Sequence, residues 1–376
     1  MGLLLTLLTA CAGGDDAETV PSTEPDPVLT FYVYAPERPM MTRGADDVSS
    51  SDKENEIQSL QIWVFETGTN NLVGYLKPDV YPAGNTTGTA AGESAGRMYQ
   101  MTVSKRFAKA ATRPNVDVYV MANAAAAGLS SLGESTSREE LESAVMDADH
   151  FDVQSPVSRI SRGLPMSGVL RNQGIIGSSP ILSIGEGSTM AKLHLMRMVS
   201  KVRFVFSKKT GSETVAVSDI TINGNIIPVE QYVFLTDDSY RIGNIYESTT
   251  AVLLPKTMSD VRECAVPTVY AYTGQTAQDY ETLIDGGVTD GHLTQVGPFY
   301  FKETDKQVSG MITYKVGAAN SQTVPFVMSV PDVSQRFVRN HSWIVYAYYN
   351  GPSTEPIINI WVDTNWQTGE HFMIED

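Results

Sequence analysis

Hydrophobic and polar residues alternate in many short segments of this chain, which is the pattern of β strands with one face in a core. In the segment 57–65, IQSLQIWVF, the alternation gives way to a continuous apolar run. The pair Asn70-Asn71 then predicts a turn, and Leu72–Leu76 is the expected hairpin partner. Further strands are predicted at 98–103, 116–121, 191–206, 214–222, 226–234, 250–254, 266–273, 296–301, 309–316, 322–330, 338–349 and 356–362.

One helix is predicted clearly. Ser137 and Glu140, three residues apart, form a capping-box pattern at its start. Leu141 and Val145 follow at helical spacing, and the helix is expected to end near Asp149. Many short strands with so little helix indicate a mostly β protein built from β sandwiches rather than from parallel α/β units.

The length of 376 residues is typical of two or three domains. A Gly/Ser-rich segment at 174–188 separates two β-rich halves of nearly equal length. We therefore predict a signal and tether at 1–27, an N-terminal β sandwich with one or two short helices at 28–188, and a C-terminal β sandwich at 189–376.

The composition narrows the range of functions. With 42% hydrophobic and 19% charged residues, the chain has enough apolar side chains for a globular core. Its net charge of -16 argues against binding to nucleic acid, because binding there relies on basic groups that neutralise phosphates. No run of 18 apolar residues is present, so no membrane-spanning helix is predicted.

A search for catalytic motifs finds one candidate. The segment 92–96, GESAG, matches the G-x-S-x-G pattern of hydrolases, with Ser94 as the nucleophile. That motif requires a strand before the serine and a helix after it. Here a small, polar segment precedes Ser94 and a predicted strand follows it, so we interpret Ser94 as a loop residue.

Potential metal ligands are also few. Asp147, Asp149, His150 and Asp152 cluster where the helix is expected to end, but the segment lacks the central Gly and closing Glu of an EF-hand loop. A solvated helix end is the favoured interpretation. The five histidines lack metal-ligand spacing. We predict no catalytic residue, cofactor or metal site, and no enzymatic activity.

The N-terminus predicts export. Leu3 to Leu8 form a short apolar segment, and Leu8-Thr9-Ala10-Cys11 ends it with small residues just before a cysteine. This is the pattern of a bacterial lipoprotein signal, in which Cys11 is acylated and the chain is cut before it. The alternative is an ordinary signal peptide that contains a cysteine. The second cysteine, Cys264, is expected to be a small buried residue.

After an acidic, proline-containing tether comes the segment VLTFYVY at 28–34, which predicts a strand. A polar linker follows with two arginines, Arg38 before a proline and Arg43 before a glycine. Trypsin-like proteases resist an Arg-Pro bond, so Arg43 is the more accessible position for cleavage. The alternative is an ordinary linker arginine.

Five segments along the chain have distinctive sequences: 56–65 (EIQSLQIWVF), 118–124 (VYVMANA), 164–168 (LPMSG), 195–202 (LMRMVSKV) and 338–343 (VRNHSW). Together, in this order, they resemble the FimA/Mfa1-type fimbrillins, which are type V pilus subunits of Bacteroidetes-type bacteria. One departure is Ser200, where the family usually has Ala.

The resemblance implies two transthyretin-like β-sandwich domains and a route of assembly. The subunit would be exported as a lipoprotein, reach the outer membrane and be cut by an Arg-specific protease, with Arg43 as the candidate site. Cleavage would remove the first strand and leave a groove for a strand of the neighbouring subunit. The residues assigned to the removable strand are Val28, Thr30, Phe31, Tyr32 and Val33.

The donor strand is expected near the C-terminus. Ile358, Ile360 and Val362 alternate along one predicted strand face, and Phe372 and Ile374 alternate again in the last ten residues. Either segment is a candidate donor, and the tail is alternatively a closing strand of its own domain. The sequence leaves this choice open.

The predicted function is thus a structural or adhesive pilus subunit of the cell surface, processed by proteolysis and polymerised by donor-strand exchange. Its expected partners are other pilus subunits, in a homo- or heteropolymer, the outer membrane through a lipid anchor, the protease, and a host or bacterial adhesion target. The alternative is a monomeric surface lipoprotein that binds glycans or adhesion targets, because β sandwiches serve both purposes.

Overall fold

The computed structural model describes residues 25–34, 57–78, 96–146, 163–235, 243–253, 260–264, 284, 286–328, 337–351 and 356–363. This part of the chain is mostly β, which confirms the predicted fold class. Most of its strands form two pairs of sheets, one from each half of the sequence, and a fifth, two-stranded sheet takes one strand from each half.

The N-terminal half contains twelve strands in the described residues. They are β1 (Val28–Tyr34), β2 (Leu60–Glu66), β3 (Leu72–Leu76), β4 (Gly96–Thr102), β5 (Val116–Ala122), β6 (Val145–Met146), β7 (Met166–Gln173), β8 (Ile175–Ser178), β9 (Ile181–Glu186), β10 (Thr189–Met190), β11 (Lys192–His194) and β12 (Met196–Arg197).

Two sheets of this half form a sandwich. The first has the order β10-β9-β1-β11, with β4 also paired to β1 and β8 to β9, and the second has the order β12-β7-β5-β2-β3. Residues of both sheets share one apolar core, because alternate side chains of each strand point inward. The predicted hairpin of β2 and β3 is present, with Trp63 opposite Tyr75.

The C-terminal half contains ten strands in the described residues. They are β13 (Ser200–Lys209), β14 (Val215–Ile222), β15 (Gln231–Tyr232), β16 (Ala251–Val252), β17 (Glu263–Cys264), β18 (Thr294–Phe301), β19 (Ser309–Val316), β20 (Gln322–Val327), β21 (Ser342–Tyr349) and β22 (Ile357–Asp363).

These strands form the second sandwich. One sheet has the order β17-β13-β21-β22, with β18 also paired to β13, and the other has the order β16-β14-β19-β20. A separate apolar core lies between them and includes Phe204, Ile220 and Trp343, each almost completely buried. Two independent cores explain why the sequence shows two β-rich halves.

Three short helices are described in the N-terminal half: α1 (Lys105–Lys109), a 3-10 helix (Ala124–Ala127) and α2 (Arg138–Ser143). The predicted capping box of α2 is present: the Glu140 amide donates to the Ser137 hydroxyl (3.2 Å), and the Ser137 amide donates to the Glu140 carboxylate (2.7 Å). The helix ends at Ser143, earlier than predicted, because Val145 and Met146 pair with β15 instead.

Asn123 has a structural role in the family-like segment 118–124. Its backbone is left-handed (φ 56), a conformation that asparagine tolerates better than most residues. Its side chain accepts a hydrogen bond from the Gln58 amide (2.8 Å) and donates one to the Leu164 carbonyl (2.7 Å). One side chain thus connects the end of the family-like segment 118–124 with the starts of the segments 56–65 and 164–168.

The single strand predicted at 191–206 is wrong in extent. This segment forms β11, β12 and β13, and the chain passes from the N-terminal sheets to the C-terminal sheets between Arg197 and Ser200. Hydrophobic periodicity cannot show where the chain passes from one sandwich to the other, because strands of both sandwiches have the same alternation of apolar and polar residues. The domain boundary near residue 188 stays a prediction, but β10 to β12 pair with strands of the N-terminal half.

Two other expectations are corrected. The strand predicted at 226–234 is reduced to β15, because residues 226–230 form bends and a single isolated bridge from Pro228 to Tyr246. Cys264 is only partly buried, since it lies on the two-residue edge strand β17.

No helix within the described residues is long and apolar enough to cross a membrane.

A third apolar cluster joins the two halves. Strand β6 pairs with β15, and the Ser167 hydroxyl donates a hydrogen bond to the Val233 carbonyl (2.6 Å). The cluster contains Trp63, Phe65, Tyr119, Met121, Ala124, Ala127, Leu141, Met146, Leu164, Met198, Val199, Val233, Phe234 and Tyr300.

A fully buried ion pair lies beside this junction. The Arg339 Nε donates to Glu303 Oε2 (3.0 Å) and its Nη2 to Glu303 Oε1 (2.5 Å). The same guanidinium donates to the carbonyls of Tyr232 (2.5 Å) and Val233 (2.8 Å). Arg339 therefore holds the C-terminal segment whose strand β15 pairs with β6 of the N-terminal half.

His341 is two residues after Arg339 in the chain. Its pKa predicts that the free energy of unfolding depends on pH. Burial lowers the pKa of His341 to about 4, from an ordinary value of 6.5. Because the unfolded chain binds the proton more readily, His341 stabilises the fold above pH 6.5 and this stabilisation is lost as the pH falls toward 4. The loss is at most about 1.4 kcal/mol per pH unit.

The measurement is urea unfolding at several pH values between 7 and 4, on the wild type and on His341→Gln. The variant removes the titrating group, so its free energy of unfolding should fall less steeply with decreasing pH. Equal slopes for the two proteins would contradict the assignment of this pH dependence to His341.

Candidate functional site

Strand β1 is a central strand of its sheet. It pairs antiparallel with β4 over its whole length, from Val28 opposite Thr102 to Tyr34 opposite Gly96. On its other side it pairs parallel first with β9 and then with β11. A strand held on both sides contributes two rows of hydrogen bonds, so its loss would leave two unpaired edges.

The ends of β1 are hydrogen-bonded as well. The Val28 amide donates to the Pro180 carbonyl (2.8 Å), and the Leu195 amide donates to the Tyr34 carbonyl (2.8 Å). The Val103 amide donates to the Pro27 carbonyl (3.0 Å), which extends the ladder with β4 by one residue. The slot that holds β1 is therefore bounded by β4 on one side and by β9 and β11 on the other.

The inner face of β1 fills the N-terminal core. Leu29 and Phe31 are 0% exposed and Val33 is 3% exposed, and all three belong to the N-terminal core cluster. Burying three such side chains stabilises the fold by roughly 5–9 kcal/mol in transfer free energy. Burial also raises the pKa of Tyr99, whose ring lies 6.4 Å from that of Phe31.

The outer face of β1 ends on an aromatic contact. The Tyr34 ring stacks on His194 with 4.8 Å between centroids, and the Lys192 Nζ lies 5.6 Å from the Tyr34 ring centroid. Gly96 lies directly under this ring, and a Cβ added there would come within 2.4 Å of it. Glycine at position 96 is thus required by the close approach of Tyr34.

The strands around the slot belong to a segment with a recognisable family. Residues 38–197 match the family model described as major fimbrial subunit protein (FimA), and this match covers every described N-terminal strand except β1. The resemblance to fimbrillins is confirmed over this segment.

The solved structures that match this chain include three proteins described as fimbrial. The tip fimbrial protein Mfa3 from Porphyromonas gingivalis, with a C-terminal truncation, is 14% identical over 89% of this chain and 99% of that chain (TM-score 0.47). A fimbrial assembly protein from Parabacteroides distasonis is 13% identical over 90% and 99% (TM-score 0.44). A fimbrial protein from Bacteroides vulgatus is 8% identical over 91% and 99% (TM-score 0.39). No curated protein is a significant match to the sequence.

All five residues predicted to form a removable strand lie on β1: Val28, Thr30, Phe31, Tyr32 and Val33. The assignment omitted Leu29, which is completely buried, and it mixed the two faces of the strand. Strict alternation from Phe31 and Val33 would have included Leu29, so the signal was present in the sequence. That the strand is removable stays a prediction.

The candidate donor residues lie in two places. Ile358, Ile360 and Val362 belong to β22, which pairs with β21 at one end of its sheet. Ile358 also packs against the C-terminal core. Phe372 and Ile374 lie outside the described residues, as do Cys11, Arg38, Arg43, Ser94 and the acidic cluster at 147–152.

The chemistry of the slot is that of strand binding. It offers backbone amides and carbonyls, apolar pockets and one aromatic contact. Among the residues that the structure describes, no group of three or more His, Cys, Asp or Glu side chains is arranged to hold a metal ion.

Proposed function

We propose that this chain is a subunit of a surface pilus that is exported as a lipoprotein through Cys11, cut after Arg43, and polymerised by strand exchange at the β1 slot. One observation carries the proposal. Every strand that pairs with β1 lies beyond Arg43 in the sequence, so a cut there would separate β1 from all of its partners. Only non-covalent contacts would then hold β1 in place.

The emptied slot would favour association. It would expose unpaired backbone groups of β4, β9 and β11 and the apolar pockets of Leu29, Phe31 and Val33. A strand from another subunit would restore both kinds of contact. Because donor and acceptor are different surfaces, each added subunit would present a new slot, and the product would be an open filament.

The position of β22 supports its role as a donor. Among the described residues it pairs with β21 alone, so leaving its own sheet would break one row of hydrogen bonds. The tail with Phe372 and Ile374 is the second candidate. The further partners follow from this route: the outer membrane through the acylated Cys11, an Arg-specific protease, other subunits of the same or another kind, and an adhesion target.

Limited digestion of the purified chain with an Arg-specific protease tests the proposal. We expect a new N-terminus at Gly44. Polymers should then elute early in size-exclusion chromatography and be visible as filaments in electron microscopy. Arg43→Ala should remain monomeric under the same treatment. Arg38→Ala is the matched control and should be cut and polymerise normally, since Pro39 already protects Arg38 from cleavage.

A different outcome would support the alternative function. If the chain cut at Gly44 stays monomeric, while the uncut chain binds glycans or cell surfaces as well as the cut one, the protein is a monomeric adhesion lipoprotein. If Arg43→Ala assembles as readily as the wild type, cleavage at this position is not part of assembly.

A further inference from the structure

The sheet of β12, β7, β5, β2 and β3 is covered on both faces. One face closes the N-terminal core against the sheet of β1, and the other belongs to the third apolar cluster. The side chains of β2 alternate accordingly: Ile62 and Val64 point into the N-terminal core, whereas Trp63 and Phe65 point into the third cluster. All seven residues of β5 are buried. Release of β1 would therefore open one face of this sheet and leave the other covered.

Part of the layer on the second face comes from the C-terminal half. Residues 226–235, which we call the arm, follow β14 in the sequence and include β15. Val233 and Phe234 of the arm are completely buried in the third cluster, together with Leu141 of α2. The Phe234 ring meets the Tyr119 ring of β5 edge-on, with 5.4 Å between their centroids. The arm thus packs directly on the middle of the sheet.

Backbone hydrogen bonds fix the arm to the N-terminal half. The Val233 amide donates to the Ala144 carbonyl (3.0 Å), and β15 pairs with β6 directly beyond it. The Val233 carbonyl accepts the bond from the Ser167 hydroxyl of β7. Side-chain packing and backbone pairing therefore act at the same place on the arm.

The other end of the arm is anchored in the C-terminal half. Ile226 and Ile227 belong to the C-terminal core. The Thr304 hydroxyl donates to the Ile226 carbonyl (2.6 Å), and the Glu303 amide donates to Gln231 Oε1 (2.8 Å). None of these contacts involves β1, so its release would leave the arm in place.

From these contacts, and resting on the proposed release of β1, we propose that the arm keeps the sheet of β12, β7, β5, β2 and β3 folded while the β1 slot is empty. The C-terminal half thereby acts as an internal scaffold for the N-terminal half. The inner face of this sheet is the floor of the emptied slot. A subunit without β1 would keep this floor formed instead of unfolding its N-terminal half.

Two opposing effects decide whether the sheet survives. Loss of β1 removes the buried Leu29, Phe31 and Val33 from the N-terminal core and exposes the apolar floor to water. Against this, none of the described strands of the sheet pairs with β1, so all of its own ladders remain. The third cluster contains no residue of β1 and stays closed on the other face. The arm is the part of that face which the C-terminal core holds.

Hydrogen exchange of the full, uncut chain, followed by mass spectrometry, tests the proposal. Leu29→Asp with Phe31→Asp places two carboxylates in the N-terminal core, and we expect this to displace β1, because burying an unpaired charge is costly. Fast exchange of β4, which among the described strands pairs with β1 alone, reports that the slot is empty. We expect β2 and β5 to stay protected, as should β13 and β21 in the C-terminal half.

Phe234→Ala is then added to this displaced background. It should speed exchange of β2 and β5 by at least about 100-fold, since truncating a buried phenyl ring shifts an opening equilibrium by that much or more. Phe326→Ala is the matched control, because its ring meets Phe204 edge-on at the same 5.4 Å but lies in the C-terminal core. It should speed exchange of β19 and β20 and leave β2 and β5 protected.

Two outcomes would overturn the proposal. If β2 and β5 exchange as fast as β4 in the displaced background while β13 and β21 stay protected, the sheet depends on β1 and not on the arm. If Phe234→Ala leaves β2 and β5 protected in that background, the arm is not what holds them. No protease enters this experiment, so its failure would leave cleavage after Arg43 and polymerisation unaffected. Conversely, a cut chain that stays monomeric would not alter the exchange result.

Discussion

Phe31→Ala is expected to lower the free energy of unfolding of the uncut chain by about 3–5 kcal/mol. The Phe31 side chain is completely buried in the N-terminal core, between the two sheets. Its truncation removes a buried ring and leaves a cavity that the surrounding strands cannot fill without moving. The measurement is urea unfolding of the full chain, monitored by circular dichroism.

Tyr32→Ala is the matched control, since Tyr32 is the next residue of the same strand and is only partly buried. It should destabilise the chain much less than Phe31→Ala does. Similar small effects of the two substitutions would contradict the assignment of Phe31 to the core.

The same variant reports on the release of β1. Once the chain is cut after Arg43 and β1 has left, Phe31→Ala and wild type are chemically identical. Their purified polymers should therefore unfold at the same temperature. A lower unfolding temperature of the variant's polymers would mean that the β1 fragment stays in the slot after cleavage.

Glu303→Gln is expected to destabilise the chain by about 3–5 kcal/mol, because it leaves the buried Arg339 guanidinium without its counter-charge. Both side chains of this pair are fully buried, and Arg339 also bonds the carbonyls of Tyr232 and Val233. Strand β15, which begins this segment, pairs with β6 of the N-terminal half. Unfolding by urea, monitored in both halves, should show that the contact between them weakens.

The double variant Glu303→Leu with Arg339→Met provides the control. It removes both charges and replaces them with apolar side chains, so it should cost less than Glu303→Gln alone. The coupling free energy follows from a double-mutant cycle that includes the two single variants. A double variant as unstable as the sum of its single variants would contradict a direct interaction between the two groups.

Local patterns were sufficient for some elements. The hairpin of β2 and β3 and the capping box of α2 were predicted correctly, because adjacent residues determine turns and helix caps. The end of α2 was predicted too late, since Val145 and Met146 pair with β15, far away in the sequence. A strand assignment also failed at 191–206, where three strands serve two sandwiches.

The candidate site was also predicted only in part from the sequence. The sequence predicted β1 as a strand, but its partners could not be predicted, because β9 and β11 lie about 150 residues further along the chain. Parallel pairing at such a separation leaves no periodic signal in either segment. The role of Gly96 was likewise hidden, since only the folded chain brings the Tyr34 ring over it.

By itself, then, the sequence determined where most strands lie and which residues face a core, because an alternating pattern has one favourable orientation in a sheet. It also predicted a lipoprotein signal at the N-terminus and cleavage after Arg43, and both stay predictions. Only the tertiary structure decided that β1 is central and that, among the described strands, β22 lies at the end of its sheet. Strand order depends on contacts between distant segments, and these contacts exist only after the chain has folded.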